Sequence, residues 1–534
     1  MSGPGVRRAA AVGKLTGVRS ASSSAVPTAP GDHRPGAPLR VLVVPARPAQ
    51  RDRHPGPEGD RVLRLVAATE RLRSSVYRLR GGPGRGLADT GRLVAVLRSL
   101  DPDAVLAGGA AAAEVAVRAG TITGHRVVVL RDDGDPALPA RLARRVAAVL
   151  TSTPVPGAAD EADRLRLPVP GSGGDTGPRS DEVAHRLAGV LAEVVGRPGA
   201  GIDPATAPAM SVVVPVYREG ALVDDLVQAL LPQLREDDEL VVVDDGSPDD
   251  TGERAQQAAA RDPRVRAVRR PQNAGAGAAR NAGVAVSRHA HVAFTDAGCH
   301  WGEGWLDGMR TPFGETPPPD LVAGAYRVSR RSVFEAATAV GCYPDVGEVR
   351  RAGPVTTAWS VLFGRRFDPT RPAGRSLAVT RSALEAVGGW PEHIRVHEDL
   401  DLSRSIAERG LRCVLTTDAD LVWDQAGVRG TARMYVRYGR GDAEATDRQA
   451  LVRDLGRALA YLVGLVGVAV GGRRLRAALA AGGVAYVWVP LTRARREERP
   501  LATAALVPAV IVAKDLAKVW GALQVLAERA VRRA

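Results

Sequence analysis

The sequence predicts an α/β protein: a central unit built on a parallel sheet, a smaller α/β unit before it and an apolar helical tail after it. Three observations carry this. Between Ser211 and Thr251 two short β-branched runs, Val212–Val214 and Leu240–Val243, are stopped by Pro215 and by Asp244-Asp245-Gly246-Ser247, with a helical stretch over about 220–234 between them. Short apolar runs bounded by turn residues are buried strands. The same alternation recurs upstream in RVLVVPA (40–46), AVLAGG (104–109) and HRVVVL (125–130), where strands alternate with Ala-rich helical stretches. The last ninety residues then change to apolar runs at 458–472, 477–491 and 501–513, separated by RRLR and RARREER.

Taken in order, residues 1–38 are rich in Ser, Ala, Pro and Gly and lack an apolar signal core, which predicts a disordered tail and no secretion signal. Residues 39–157 form the small α/β unit, with RRVAAVLTST (144–153) as a further strand. GGPGRG (81–86) does not follow a convincing strand and reads as an ordinary loop. Residues 158–209 read as a linker, with Pro168, Pro170 and GSGGDTG (171–177), carrying one helix at about 181–196. The central unit spans 210–445, and 446–534 is the tail.

The 534 residues suffice for two or three domains. The net charge is +14 and nearly all arginine, since only Lys14, Lys514 and Lys518 are lysines. With 4% aromatic residues and no basic patch interleaved with aromatics, nucleic acid is excluded as the expected partner. A membrane surface or a phosphorylated substrate fits the charge better. Cys299, Cys342 and Cys413 lie too far apart for a disulfide framework or a metal spacing, which points to a reducing, cytosolic setting.

The chemistry-bearing residues gather in the central unit. In open α/β sheets ligands sit at the carboxyl ends of the strands, and here those ends carry Tyr217, Glu219, Asp244 and Asp245. A carboxylate at such a place accepts a base imide N–H or a ribose hydroxyl; Ser247 to Thr251 is also good helix-capping sequence. NAGAGAARNAG (273–283) lets backbone approach a ligand, and Arg280 is suited to clamping phosphate or base. HVAFTDAGCHW (291–301) is a strand ending in Asp296. Glu398 and Asp399 open a helix bearing Leu400, Leu402, Ile406 and Leu411. A carboxylate there is favoured by the helix dipole, and aspartate ordinarily titrates near 3.9, so Asp399 is a candidate base near neutral pH.

Taken together, PVYREG (215–220), DDGSPDDT (244–251), GAGAARNAG (275–283), TDAG (295–298), GRSLAVTRSALEAVGGW (374–390) and HEDLDLSRSIAERG (397–410) resemble the family 2 glycosyltransferases of GT-A, Rossmann-like fold. The resemblance implies an inverting enzyme of hexosyltransferase type, moving sugar from a nucleotide-diphosphate donor to a glycan or lipid-linked acceptor. It implies that Pro215, Tyr217, Glu219, Asp244, Asp245 and Arg280 hold the nucleotide and that Asp296 holds the ribose or a metal-bridged diphosphate. Asp399 would be the base, with Glu398 beside it. It also implies a divalent cofactor, Mn²⁺ or Mg²⁺. The chain departs from the family at Asp296-Ala297-Gly298, where a second carboxylate is usual, and at LVWDQAG (421–427), where a histidine is usual. Asp424 is the candidate substitute ligand, and Arg280, Arg433, Arg437 or Arg440 the alternative neutralisers of the diphosphate. MYVRYGRGD (434–442) is expected to close the site.

Each apolar run of the tail is shorter than the roughly 20 residues that span a bilayer, and arginines flank both ends of the first two. Spanning would put one basic cluster outside, against the positive-inside tendency. This predicts short interfacial or re-entrant helices on the cytoplasmic face of the membrane, ahead of spanning ones. Two other activities share parts of the pattern. A sugar nucleotidyltransferase would carry a Gly-rich loop and basic residues after the first strand, where this chain reads PVYREG. A non-catalytic glycosyltransferase-like scaffold would not need the Glu398-Asp399 pair.

Overall fold

The computed structural model describes residues 187–533, except 352, 364 and 445–447, and shorter stretches before them: 18–20, 39–44, 72–77, parts of 90–97, 102–123, 125–131 and 148–151. The expected loop at 81–86, the linker over 158–186 and most of the stretch 1–38 expected to be disordered lie outside the described residues.

Among the described residues the amino-terminal part forms one six-stranded sheet. Its strands are β1 (Val18–Ser20), β2 (Leu39–Val44), β3 (Leu72–Tyr77), β4 (Ala104–Gly108), β5 (Arg126–Arg131) and β6 (Ala148–Thr151), in the order β1-β3-β2-β4-β5-β6. All neighbours pair in parallel except β1 with β3. β1 falls inside the stretch expected to be disordered, and β3 had no clear sequence signal because LRSSVY is only half apolar.

The central sheet has seven strands in the order β15-β12-β14-β10-β7-β8-β9: Cys413–Thr416, Leu321–Gly324, Leu377–Thr380, His291–Phe294, Met210–Val216, Glu239–Asp244 and Val265–Arg269. β10 lies in the middle with β7 next to it, and β8 on the far side of β7 is buried along its whole length. That is why these strands read as unbroken apolar runs rather than alternating ones. Their side chains still alternate by face: Val212, Val214, Leu240 and Val242 pack with Val223, Leu226, Trp305 and Met309, while Val213, Val241 and Val243 pack with Ala279, Phe294, Trp390, Leu402 and Ile406. Fully burying each such side chain contributes about 1.5–3 kcal/mol.

Only β14 runs against its neighbours. The carboxyl ends of β7, β8, β10 and β12 therefore share one edge of the sheet with the amino end of β14. A small sheet of β11 (Cys299–Trp301), β13 (Arg327–Val328) and β16 (Leu421–Trp423), ordered β11-β16-β13, flanks that edge. Arg197 ties the two large units, with its Nε 2.9 Å from Asp418 and Nη1 3.7 Å from Asp103, all three nearly sealed from water.

The tail folds as three helices, Arg448–Val470, Arg473–Ala494 and Pro500–Arg533. At 23, 22 and 34 residues they outrun the apolar runs read from sequence, because charged residues continue each helix beyond its apolar stretch. Two of them, over Arg473–Ala494 and Pro500–Val531, are long and apolar enough to cross a membrane. The last helix packs on the helix Val428–Glu444 and on Val333–Cys342, burying Val507, Val510, Ile511 and Val525. Its crossing with Val428–Glu444 is a backbone contact: a Cβ at Gly439 would stand 1.8 Å from the Lys518 carbonyl, and one at Gly521 2.0 Å from the Val436 carbonyl. The first two tail helices instead leave Leu459, Leu462, Leu465, Val466, Val470 and Trp488 exposed. Arg493, expected as part of a surface cluster, is buried and bonds Glu348 and the carbonyls of Val340 and Tyr343.

Candidate active site

A cleft of about 690 Å³ opens at the shared sheet edge. β7 delivers Pro215, Tyr217 and Glu219 to it, β8 delivers Asp245, β10 delivers Asp296, Ala297 and Gly298, and the loops around Gly374 and His397 deliver Arg375, Glu398 and Asp399. The helix Val428–Glu444 supplies Met434, Arg437 and Tyr438, so part of MYVRYGRGD does wall the cleft.

The end of the cleft formed by the loops after β7 and β8 is a set of interlocked turns. Arg218, at φ 58°, donates its N–H to Ser247 Oγ, and the Glu219 N–H bonds Thr251 Oγ1. The capping residues of 247–251 thus hold the loop after β7. Gly246 has φ 73°, and a Cβ there would lie 2.7 Å from the Gln272 backbone, so both the backbone angle and the crossing loop require glycine. Asp245 accepts from the Ala274 and Gly275 N–H groups and from Arg270, fixing the start of the helix Ala276–Val286.

Asp244 is not brought to the cleft. A strand alternates its side chains, so the neighbour of a cleft-facing Asp245 points away; Asp244 is fully buried, accepts from the Ser247 N–H and faces Arg269 at 3.3 Å. Its role is to shape the turn.

Arg280 is the hub. It donates to Glu398 at 2.8 Å and Asp296 at 2.9 Å, with the guanidinium 4.4 Å from the Trp390 ring centroid. Burial works against its charge, yet Asp296, Glu398 and Asp399 hold its pKa above the ordinary value. Rather than standing free as a clamp, it joins the strand end of β10 to the helix Glu398–Glu408. Burial raises Glu398, opposed by Arg280 and helped by Asp399. Asp399 takes the Gly374 N–H at 2.8 Å on one oxygen and the Leu400 N–H at 2.9 Å on the other, which fixes the carboxylate plane while leaving lone pairs toward the cleft. His397, at φ 72°, turns the chain into this helix and pairs with Asp442 at 3.1 Å. Burial opposes its charge and Asp442 overcomes that, so its pKa is raised.

Burial first, and the Asp296 charge second, push the Glu219 carboxyl up to about 7. Its folded value lies above the unfolded one of about 4.3, so the folded state holds the extra proton and stability falls as pH rises from about 4.5 through 7. Glu219→Gln removes that slope. In urea unfolding at pH 5 and pH 8, the wild type should lose about 2 kcal/mol more than the variant; the full shift would give roughly 3, and the partly open side chain reduces it. Equal losses would refute the assignment.

Of the two ligands considered for the divalent centre that the resemblance implied, the cleft holds Asp296 alone. Asp424 lies off the cleft, 3.0 Å from His300 and 2.9 Å from Arg331. Asp296 spends one oxygen on Arg280, and position 298 offers no donor. Among the described residues no three His, Cys, Asp or Glu side chains group as a metal site. Of the arginines considered as neutralisers, Arg437 lines the cleft, Arg433 does not, and Arg440 pairs with Glu528. Sequence reading missed Arg375 altogether. It stands in the quoted GRSLAV stretch, but only the reversed direction of β14 carries it to this edge.

The sequence over residues 211–370 matches the family described as Glycosyl transferase family 2. The chain carries a family 2 glycosyltransferase domain. The matched stretch holds Tyr217, Glu219, Asp245, Arg280 and Asp296 of the cleft, and the loop of Glu398 and Asp399 follows it. An uncharacterized glycosyltransferase, EpsJ of Bacillus subtilis (strain 168), is 38% identical over 61 residues, which are 11% of this chain and 18% of that protein. The chain thus matches less than a fifth of that relative's length. The solved mannosyltransferase PcManGT from Pyrobaculum calidifontis, in complex with GDP-Man and Mn²⁺, is 19% identical, with a TM-score of 0.42 over 60% of this chain and 89% of that one.

Proposed function

We propose that the glycosyltransferase domain transfers a sugar, with inversion, from a nucleotide-diphosphate donor to an acceptor hydroxyl presented at a membrane surface. The observation that carries this is Asp399. It is held rigidly by two backbone N–H groups at the wall of a cleft whose other wall is the turn system of Tyr217, Glu219 and Asp245. The acceptor oxygen attacks the anomeric carbon as its proton passes to Asp399. The carbon–oxygen bond to the diphosphate breaks on the opposite face, and the nucleoside diphosphate leaves with the bonding electrons. Glu398, held by Arg280, keeps the base-bearing helix in register with Asp296.

The exposed apolar faces of Arg448–Val470 and Arg473–Ala494 support a membrane setting, since soluble monomers rarely show large continuous apolar patches. Arg473, Arg474 and Arg476 are exposed at the turn between these helices and suit anionic headgroups. This placement supports a glycan or lipid-linked acceptor reached at the cytoplasmic face.

The test is turnover. The full chain is incubated with UDP-, GDP- and dTDP-sugars, with and without vesicles of bacterial lipid extract, and nucleoside diphosphate release is measured. One nucleotide class should be turned over, and vesicles should raise the rate at least tenfold. No turnover in any combination would overturn the reading.

A further inference from the structure

We propose that Arg375 is an anion site of the cleft that takes the donor diphosphate directly, in the place where a protein-held divalent ion was expected. The inference rests on the nucleotide-donor reading above and specifies how the charge of the leaving group is met.

Arg375 differs from the other deeply placed arginine of the cleft. Arg280 has its charge matched by Asp296 and Glu398. The Arg375 guanidinium lies 3.9 Å from the Trp423 ring centroid and 5.0 Å from that of Tyr326, so aromatic faces fix its plane. Its Nε and Nη1 are shielded from water and have no hydrogen-bond partner, and no ion pair to it occurs among the described residues. Leaving donors of a cation unmet and out of water is costly. A fold that keeps such a group on the wall of an open cleft is arranged for an anion that arrives from solution. A guanidinium has five N–H donors in a planar fork that matches phosphate oxygens.

Position agrees with charge. Because β14 is antiparallel, Arg375 stands at the same edge as Asp245, Asp296 and Gly298, and next to Gly374, which holds Asp399. A Cβ built at Gly298 meets nothing within 4 Å, so the place usual for a second carboxylate is open space in the cleft wall. A diphosphate lying there meets Arg375 where it would otherwise meet an ion. The leaving group is thereby stabilised by fixed donors that need no reorganisation as charge develops.

The test is calorimetric titration of UDP, GDP and dTDP and of the matching nucleosides into the full chain, each in EDTA and again with Mn²⁺ in place of EDTA. In the wild type, one nucleoside diphosphate should bind at least tenfold tighter than its nucleoside. In Arg375→Met that ratio should fall to within about twofold, with nucleoside affinity and thermal midpoint unchanged. Arg375→Lys should retain part of it, since the charge survives without the fork. Binding lost in EDTA, or a ratio unaffected by Arg375→Met, overturns the proposal while leaving the donor reading intact. Failure of every nucleotide and nucleoside to bind, with Mn²⁺ as well as in EDTA, overturns the donor reading itself, and this inference with it.

Discussion

Asp399→Asn should lower sugar transfer by a factor of roughly 10²–10⁴ while leaving donor affinity within about twofold. The factor is the usual contribution of a positioned general base. The asymmetry comes from geometry. Asparagine keeps a carbonyl-type oxygen to accept the Gly374 N–H, so the loop bearing Gly374 and Arg375 stays in place. What is lost is the ability to take the proton of the acceptor hydroxyl. Steady-state transfer and equilibrium donor binding, measured on the same preparation, separate the two effects. A variant that transfers sugar at the wild-type rate would remove Asp399 from the mechanism, and one that loses donor binding as well would make it a structural residue of the donor site.

Gly521→Ala should destabilise the protein by about 1–3 kcal/mol, the range for forcing extra atoms into a packed contact. The sign is the informative part. Gly521 lies inside the helix Pro500–Arg533, where alanine is otherwise favoured over glycine by about 1 kcal/mol. Here the added methyl meets the Val436 carbonyl at 2.0 Å and the Arg440 N at 3.0 Å, so the two helices must part. Parting them also pulls Lys518 from Asp442 and Asp454, which it holds at 2.7 and 2.6 Å, and so frees the partner of His397. Transfer activity should fall with stability, since Arg437 and Tyr438 ride on the displaced helix. Gly482→Ala is the control: nothing lies within 4 Å of its Cβ position, and the propensity gain should appear undiminished. Urea unfolding of the three proteins decides it; a stabilised Gly521→Ala would mean the helices do not touch in solution.

The parts of the site that were legible in sequence are those written in short contiguous stretches. β7 and β8 declare themselves through Val212–Val214 and Leu240–Val243, because strands buried on both faces need no polar alternation. The turns after them follow from Gly246 and the hydroxyls of Ser247 and Thr251. The paired Asp244 and Asp245 were half legible: period two guarantees that only one faces the cleft, but not which one. Contacts between distant stretches were not legible. The Arg280–Glu398 bond spans 118 positions, and nothing local in either segment encodes it. Arg375 was invisible for a different reason. A strand's direction in the sheet is set by how the chain returns to it, so the sequence does not say whether its first or last residue reaches the cleft. Asp424 was named on chemistry alone, and its neighbours His300 and Arg331 come from elements far away in the chain.

The crossing at Gly439 and Gly521 also bears on how the protein is made. The wall of the cleft carried by Val428–Glu444 is braced by a segment that a ribosome reaches roughly 80 residues later, several seconds on at about 5–20 residues per second. During that interval the central sheet is complete, yet the Asp442 carboxylate lacks Lys518 and the backbone groove at Gly439 is empty. The strands of the central sheet are therefore synthesised well before the helix that braces the Val428–Glu444 wall of the cleft.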